Sequence, residues 1–166
     1  MLKTSTLIRT YCPGDAGYVS YLHMKFYREH YRFKPIFEYY VMKGLSEFLR
    51  DPSGGNLWIA EVDSLIAGSI AIVKTQDGAQ LRWFLVGAER QGRGIGRSLM
   101  NTAMRFCEER GYSHVFLWTI NILDTARHLY KEFGFAPVEE KPNSEWTEDT
   151  IMEERWELNT RPGGRT

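Results

Sequence analysis

Hydrophobic positions along the chain follow two periods, and the switches between them mark out the elements. Val19, Leu22, His23 and Phe26 recur at i, i+3, i+4 and i+7. That stripe predicts a helix after the turn Pro13-Gly14-Asp15, with Asp15 as its N-cap. A second helical stretch runs over Ile36–Leu49 and stops at Asp51-Pro52-Ser53-Gly54-Gly55. Ile95, Leu99, Ala103 and Phe106 stripe a third helix, with Gly111 at its C-terminal stop. Leu123, Ala126, Leu129, Tyr130 and Phe133 stripe a fourth, closed by Gly134.

Between the helices lie short β-rich runs. Thr6–Thr10, Leu57–Val62, Leu65–Lys74, Gln80–Val86, Val115–Ile120, Phe135–Glu140 and Ile151–Leu158 read as strands. Asp63-Ser64 joins two of them as a tight hairpin, and Gln76-Asp77-Gly78 is another turn. The predicted order is β-α-α-β-β-β-α-β-α-β-β, a mixed α/β domain around one sheet. Residues 1–158 are expected to form that domain, with Asn159–Thr166 as a flexible tail.

Composition narrows the function classes. The chain has 166 residues, enough for one domain with a sizeable core. Lys+Arg and Asp+Glu are 21 each, so formal net charge is zero, which argues against nucleic-acid binding by bulk electrostatics. Cys12 and Cys107 are far apart and encode neither a disulfide framework nor a zinc knuckle. The four histidines lack metal-ligand spacing, so no metal is expected. The longest apolar run, Leu65–Val73, is too short to span a bilayer. With no apolar leader segment in view, a cytoplasmic location is the default expectation.

The segment Gln91-Gly92-Arg93-Gly94-Ile95-Gly96-Arg97 carries the most chemistry. It lies where an apolar strand ends and a helix begins. Glycines there let backbone approach a ligand, and the first helical turn has unpaired N–H donors and a partial positive charge. The combination suits a phosphate or pyrophosphate, with Arg93 and Arg97 adding charge. A dinucleotide-binding fingerprint fails because Arg97 stands where its last glycine belongs. A Walker A loop fails because Arg93-Gly94 follows Gly92 in place of Lys-Ser/Thr. A plain packing turn is the remaining alternative.

Gln91-Gly92-Arg93-Gly94-Ile95-Gly96 resembles the Gln/Arg-x-x-Gly-x-Gly/Ala motif of the GNAT acyltransferase family. Tyr130-Lys131-Glu132-Phe133-Gly134-Phe135 resembles the same family's Tyr-x-x-x-Gly-Phe helix end. More narrowly, Leu81–Val86, Leu117-Trp118-Thr119 and Ala126–Tyr130 look like the acetyltransferase domain of MarR-fused proteins. The resemblance implies a mostly antiparallel twisted sheet, splayed between its fourth and fifth strands and flanked by about four helices. It implies acetyl-CoA as donor, with the backbone of Leu85 and Val86 pairing with the pantetheine arm. The Val86 N–H would be the oxyanion donor. Backbone N–H groups of Gln91, Gly92, Arg93, Gly94, Ile95, Gly96, Arg97 and Ser98 would hold the pyrophosphate. Tyr130 would protonate the departing thiolate.

Two positions depart from the family pattern. Leu123 stands where many members carry asparagine seven residues before the tyrosine, and Asn121 is the nearest residue to take its place. Gln80–Val86 contains no carboxylate, so the frequent strand glutamate base is missing and the base is unassigned. Glu29, Glu38 and Glu61 are loose candidates. The expected reaction is direct transfer to a primary amine of a small molecule, amino acid or peptide. A non-catalytic acetyl-CoA sensor is the alternative, and a homodimer is left open.

Other clusters have two readings each. Tyr18–Tyr40 holds nine of the eighteen Tyr and Phe residues, either two packed amphipathic helices or an aromatic acceptor cleft. His23 reads as a packed histidine or a substrate contact, and His128 as a surface residue. The eight acidic residues within Glu139–Glu157 read as a solvated face or as attraction for a cationic acceptor. Cys107, in mid-helix, reads as core.

Overall fold

The computed structural model describes residues 5–159. In chain order it contains β1 (Thr6–Thr10), α1 (Asp15–Tyr31), α2 (Pro35–Arg50), β2 (Asn56–Val62), β3 (Leu65–Thr75) and β4 (Gly78–Val86). A single 3₁₀ turn at Ala88–Arg90 leads to α3 (Ile95–Glu109), β5 (His114–Ile120), α4 (Asp124–Glu132), β6 (Ala136–Asn143) and β7 (Ile151–Asn159). The predicted order of elements stands. So does the mixed α/β fold with four helices.

Two local expectations change. Gly14, at φ 98°, is the N-cap of α1, and Asp15 is its first helical residue. The Asp15 carboxylate reaches outside the helix instead, accepting from the Cys12 N–H at 2.7 Å and from Arg9 at 2.7 and 3.2 Å. That pairing holds the Asp15 carboxyl below its ordinary pKa, chiefly through Arg9. Asn159 closes β7, and its side-chain oxygen meets His114 Nδ1 at 2.9 Å, so it is part of the sheet. The rest of the expected tail lies outside the described residues.

The seven strands form one sheet in the order β1-β2-β3-β4-β5-β7-β6. Every neighbouring pair is antiparallel except β4–β5. That pair is parallel because α3 carries the chain back across one face between them. Both faces of β2 are buried, so its apolar run hides an alternation: Leu57 and Ile59 pack under α1 and α2, and Trp58, Ala60 and Val62 under α3. Asp63 and Ser64 turn the β2–β3 hairpin at φ 50° and 66°, both positive as a two-residue type I′ turn demands.

The parallel pair joins only at Ala79–Val115, Gln80–Phe116 and Leu81–Leu117. Beyond Leu81 the two strands part. At the same point β4 bulges: Trp83 takes φ 46°, the β3–β4 register shifts, and Ser69 Oγ donates to the Trp83 carbonyl at 2.7 Å. The extra residue resets the alternation. Leu81 and Phe84 therefore contact the α3 side, and Trp83 packs among α1 and α2 residues. Among the described residues no helix is long and apolar enough to cross a membrane.

Candidate active site

The gap between β4 and β5 opens into two clefts. The first, of about 370 Å³, is lined by Leu85 and Val86 of β4, Arg90–Gly92 of the turn, and Ile95 and Gly96 of α3. Ile122–Ala126 and Leu129 close its far side, and Phe26, Tyr27 and Tyr31 of α1 form an end. The second cleft, of about 340 Å³, lies among α1, α2, β4, β5 and the β6–β7 hairpin. Tyr27, Phe84, Leu123 and Ala126 border both. The clefts therefore meet at the splay.

The glycine-rich turn brings backbone N–H donors to the first cleft. Gly92 and Gly94 sit at φ 77° and 80°, left-handed values that disfavour other residues. Gly94 is the N-cap of α3, and among the described residues the N–H groups of Ile95, Gly96 and Arg97 have no backbone partner. Gly96 lets the helix close on the sheet, since a Cβ there would lie 3.3 Å from Phe84 Cζ. The strand end, glycine turn and helix N-terminus together fit a bound pyrophosphate.

Not every residue expected around that phosphate is placed alike. Gln91, Gly92, Ile95 and Gly96 line the cleft, as do Leu85 and Val86. The Gln91 side chain donates to the Val86 carbonyl at 3.1 Å, pinning the turn to the strand end. Ser98 donates both its N–H (3.1 Å) and its hydroxyl (3.0 Å) to the Gly94 carbonyl, so the free amides end at Arg97. The Arg97 guanidinium pairs with Glu132 of α4. Asn121 points away from this cleft's lining: its side-chain oxygen accepts from the Met152 N–H at 3.0 Å, tying β5 to β7. Arg90, which the motif does not include, does line the cleft.

Tyr130 is placed by the end of its helix. The Phe135 N–H donates to the Tyr130 carbonyl and the Gly134 N–H to Lys131, both at 3.0 Å, with Gly134 at φ 93°. This is a Schellman stop, and it explains the spacing of tyrosine from Gly-Phe. Arg127 anchors the same helix to β7, bonding Glu154 at 2.9 and 3.3 Å. The Tyr130 ring packs against Phe84, Phe135 and Trp156 and is 5% exposed. Among the described residues its hydroxyl has no hydrogen-bond partner, and the residue lines the second cleft. Burial, and then the neighbouring Tyr27, raises its pKa well above the ordinary tyrosine value, so the phenol stays protonated.

The second cleft gathers what the sequence reading left unassigned. Tyr27, Phe33, Phe37 and Trp146 form an aromatic wall from α1, the α1–α2 loop, α2 and the β6–β7 connection. The Tyr18–Tyr40 segment therefore serves both readings: Tyr18, Tyr21 and Tyr39 face water, whereas Tyr27 and Phe37 line the cleft. His23 also lines it and is 5% exposed. Its Nδ1 donates to the Val19 carbonyl at 2.8 Å, because a carbonyl can only accept, so Nε2 carries the lone pair. Burial pushes the imidazole pKa down to about 4, leaving it neutral at pH 7.

Glu153, Arg82 and Thr119 line the same cleft; the sequence patterns that include them, two resembling stretches and an acidic run, give none of them a role of its own. The loose base candidates are elsewhere: Glu29 and Glu38 are exposed, and Glu61 bonds Arg9 at 2.8 Å. Cys107 is buried in α3 and its thiol is pushed up to about 12 by burial, which keeps it un-ionised. His128 is on the surface, 2.9 Å from Glu132.

The acetyltransferase (GNAT) family model matches residues 18–135, most of the chain. The chain belongs to that family. Among its relatives, human N-acetyltransferase 8B is 30% identical over 100 residues, covering 57% of this chain and 44% of the relative. N-acetyltransferase family 8 member 3 of Rattus norvegicus is 36% identical over 84 residues, covering 47% of this chain and 37% of that protein. The matched segments thus span under half the length of either relative. Among solved structures, a GNAT-family acetyltransferase from Staphylococcus aureus Mu50 superposes at a TM-score of 0.76 with 17% identity, over 95% of this chain and all of that one. yncA, a Salmonella typhimurium protein solved with its cofactor acetyl-CoA, gives 0.75 at 12% identity over 98% of each chain. These likenesses show the GNAT fold.

Proposed function

We propose that this chain transfers the acetyl group of acetyl-CoA to a primary amine by direct attack. The observation that carries the reading is the meeting of two unlike clefts at the β4–β5 splay: one has the free amides of a phosphate site, the other aromatic walls and a protonated phenol. Acetyl-CoA supplies an activated acyl group. The amides of the glycine turn and α3 hold its phosphates, and Leu85 and Val86 lie alongside the path to the splay. Val86 N–H is the group assigned to the carbonyl oxygen. The Tyr130 hydroxyl donates a proton to the sulfur as it departs.

On the acceptor side, neutral His23 offers Nε2 as a hydrogen-bond acceptor to an incoming amine. The buried, un-ionised Cys107 is no nucleophile, which supports direct transfer over an acyl-enzyme. The test is thiol release from acetyl-CoA across a panel of amines, run beside coenzyme A-induced thermal stabilisation. Thiol release that depends on one class of amine supports the enzyme. Stabilisation without release for any amine overturns it in favour of a non-catalytic acetyl-CoA sensor.

A further inference from the structure

Arg82 is the unusual charge of the second cleft. It lies on β4 one residue before the bulge and lines the cavity. Among the described residues it makes no hydrogen bond and no ion pair within 4 Å. Glu47 is the carboxylate that acts on it, only through space. Burial lowers its guanidinium pKa, yet arginine stays charged, so a cation is held partly out of water with no hydrogen-bonding or ion-pair partner among the described residues. Such a group is costly unless something binds it.

The surroundings hold that cation in one place. Its Cζ lies 4.6 Å over the Trp83 ring. Gly44 in mid-α2 leaves room for it, since a Cβ there would come within 2.6 Å of Arg82 Nη2 and 3.1 Å of Cζ. A glycine inside a helix is a stability cost, and here the missing side chain is what seats the guanidinium. Two further observations point to a polar ligand in the same cavity. Thr119 Oγ1, on a residue 7% exposed, is a buried polar atom without a hydrogen-bond partner among the described residues. Lys141 also lines the cleft, with its Nζ 4.7 Å over Trp118 and 3.9 Å from Glu153.

We infer that the second cleft takes an amine that also carries a carboxylate, bound by the Arg82 guanidinium, with its apolar part against the aromatic wall. The planar fork of arginine matches a carboxylate in two parallel hydrogen bonds. The cavity of about 340 Å³ accommodates an α-amino acid with an apolar or aromatic side chain. This rests on the proposed transfer reading only for the fate of the amine. The binding itself stands on Arg82.

The experiment compares matched pairs differing only by the carboxylate: L-phenylalanine with phenethylamine, L-tryptophan with tryptamine, and L-leucine with isoamylamine. Affinity is read by calorimetry on the protein saturated with coenzyme A, and thiol release is read in parallel with acetyl-CoA. The carboxylated member should bind on the order of 10- to 100-fold tighter, as a charge-assisted pair provides. Arg82→Gln should bring that ratio to near one, and Arg82→Lys should leave an intermediate ratio because it keeps charge and loses the fork. If Arg82→Gln fails to fold, the wild-type ratio and Arg82→Lys still decide. Equal affinities within pairs, a preference that survives Arg82→Gln, or no binding by any member overturns the inference. Carboxylate-dependent binding without thiol release keeps the Arg82 site and overturns the transfer reading. Thiol release without carboxylate preference does the reverse.

Discussion

The two clefts that meet at the splay are made of different material. Beside the side chains of Arg90, Asp124 and Thr125, the first offers backbone donors: the amides of one short, contiguous turn, set at positive φ by Gly92 and Gly94. The second takes its polar atoms from side chains spread across α1, β4, β5, α4, β6 and β7: His23, Arg82, Thr119, Tyr130, Lys141 and Glu153. Backbone donors recognise a phosphate whatever else the ligand carries. Side-chain donors distinguish one acceptor from another and can move protons. On the proposed reading, constancy of the donor and selectivity for the acceptor are separated in space, and each should be breakable without the other.

The sharpest break is at Gly94. Gly94→Glu places a carboxylate and a strained residue at the N-cap of α3, and coenzyme A-induced thermal stabilisation should vanish. Gly94→Ala carries the strain of φ 80° without the charge and should retain part of the stabilisation. Equal stabilisation of Glu and wild type would show that the phosphates lie elsewhere.

His23 probes the second cleft through pH. Its pKa is about 4 in the folded chain against 6.5 when free, so the unfolded chain binds the extra proton first. Its contribution is fully present above pH 6.5 and is lost as pH falls toward 4, up to about 3 kcal/mol. Chemical denaturation from pH 7 to 4 should show that slope in wild type and a shallower one in His23→Gln. An unchanged slope in the variant would place the titration on other groups.

Tyr130→Phe should lower kcat on the order of 10²-fold while leaving coenzyme A affinity and melting temperature nearly alone. Tyr130→Ala should also cost about 3 kcal/mol of stability, because the ring packs among Phe84, Phe135 and Trp156. A fully active Phe variant would reduce Tyr130 to a wall residue.

The mildest test returns to the first cleft. Arg97→Ala should raise the KM for acetyl-CoA by about fivefold with kcat spared, because the lost charge acts remote from the reacting carbonyl. The effect is small because Arg97 already shares its charge with Glu132. A fall in kcat with KM unchanged would move Arg97 into the chemistry and blur the contrast between the clefts.

What the sequence determined by itself was whatever depends on neighbours in the chain. Periodicity placed all eleven helices and strands, because amphipathic stripes and turn residues act over a few positions. The glycine turn and the Tyr-x-x-x-Gly-Phe stop were legible for the same reason: a helix N-terminus and a Schellman stop are local geometry, written in contiguous residues. Even there, Asp15 shows the limit, since its carboxylate found Arg9 across the sheet edge and left the cap to Gly14.

Only the tertiary structure decided which side chains share the second cleft. Asn121 was the nearest candidate in sequence and turned to β7, whereas Glu153 came from an acidic run that reads as a solvated face or as attraction for a cationic acceptor. Arg82 stands in an apolar strand whose resemblance to family members gives it no role of its own. The bulge at Trp83 and the missing Cβ at Gly44 gave it a seat, and both act between elements distant in the chain. A spacing rule sees one helix or strand at a time. Where six residues from six elements converge depends on how β4 and β5 part, and that parting is a property of the packed sheet.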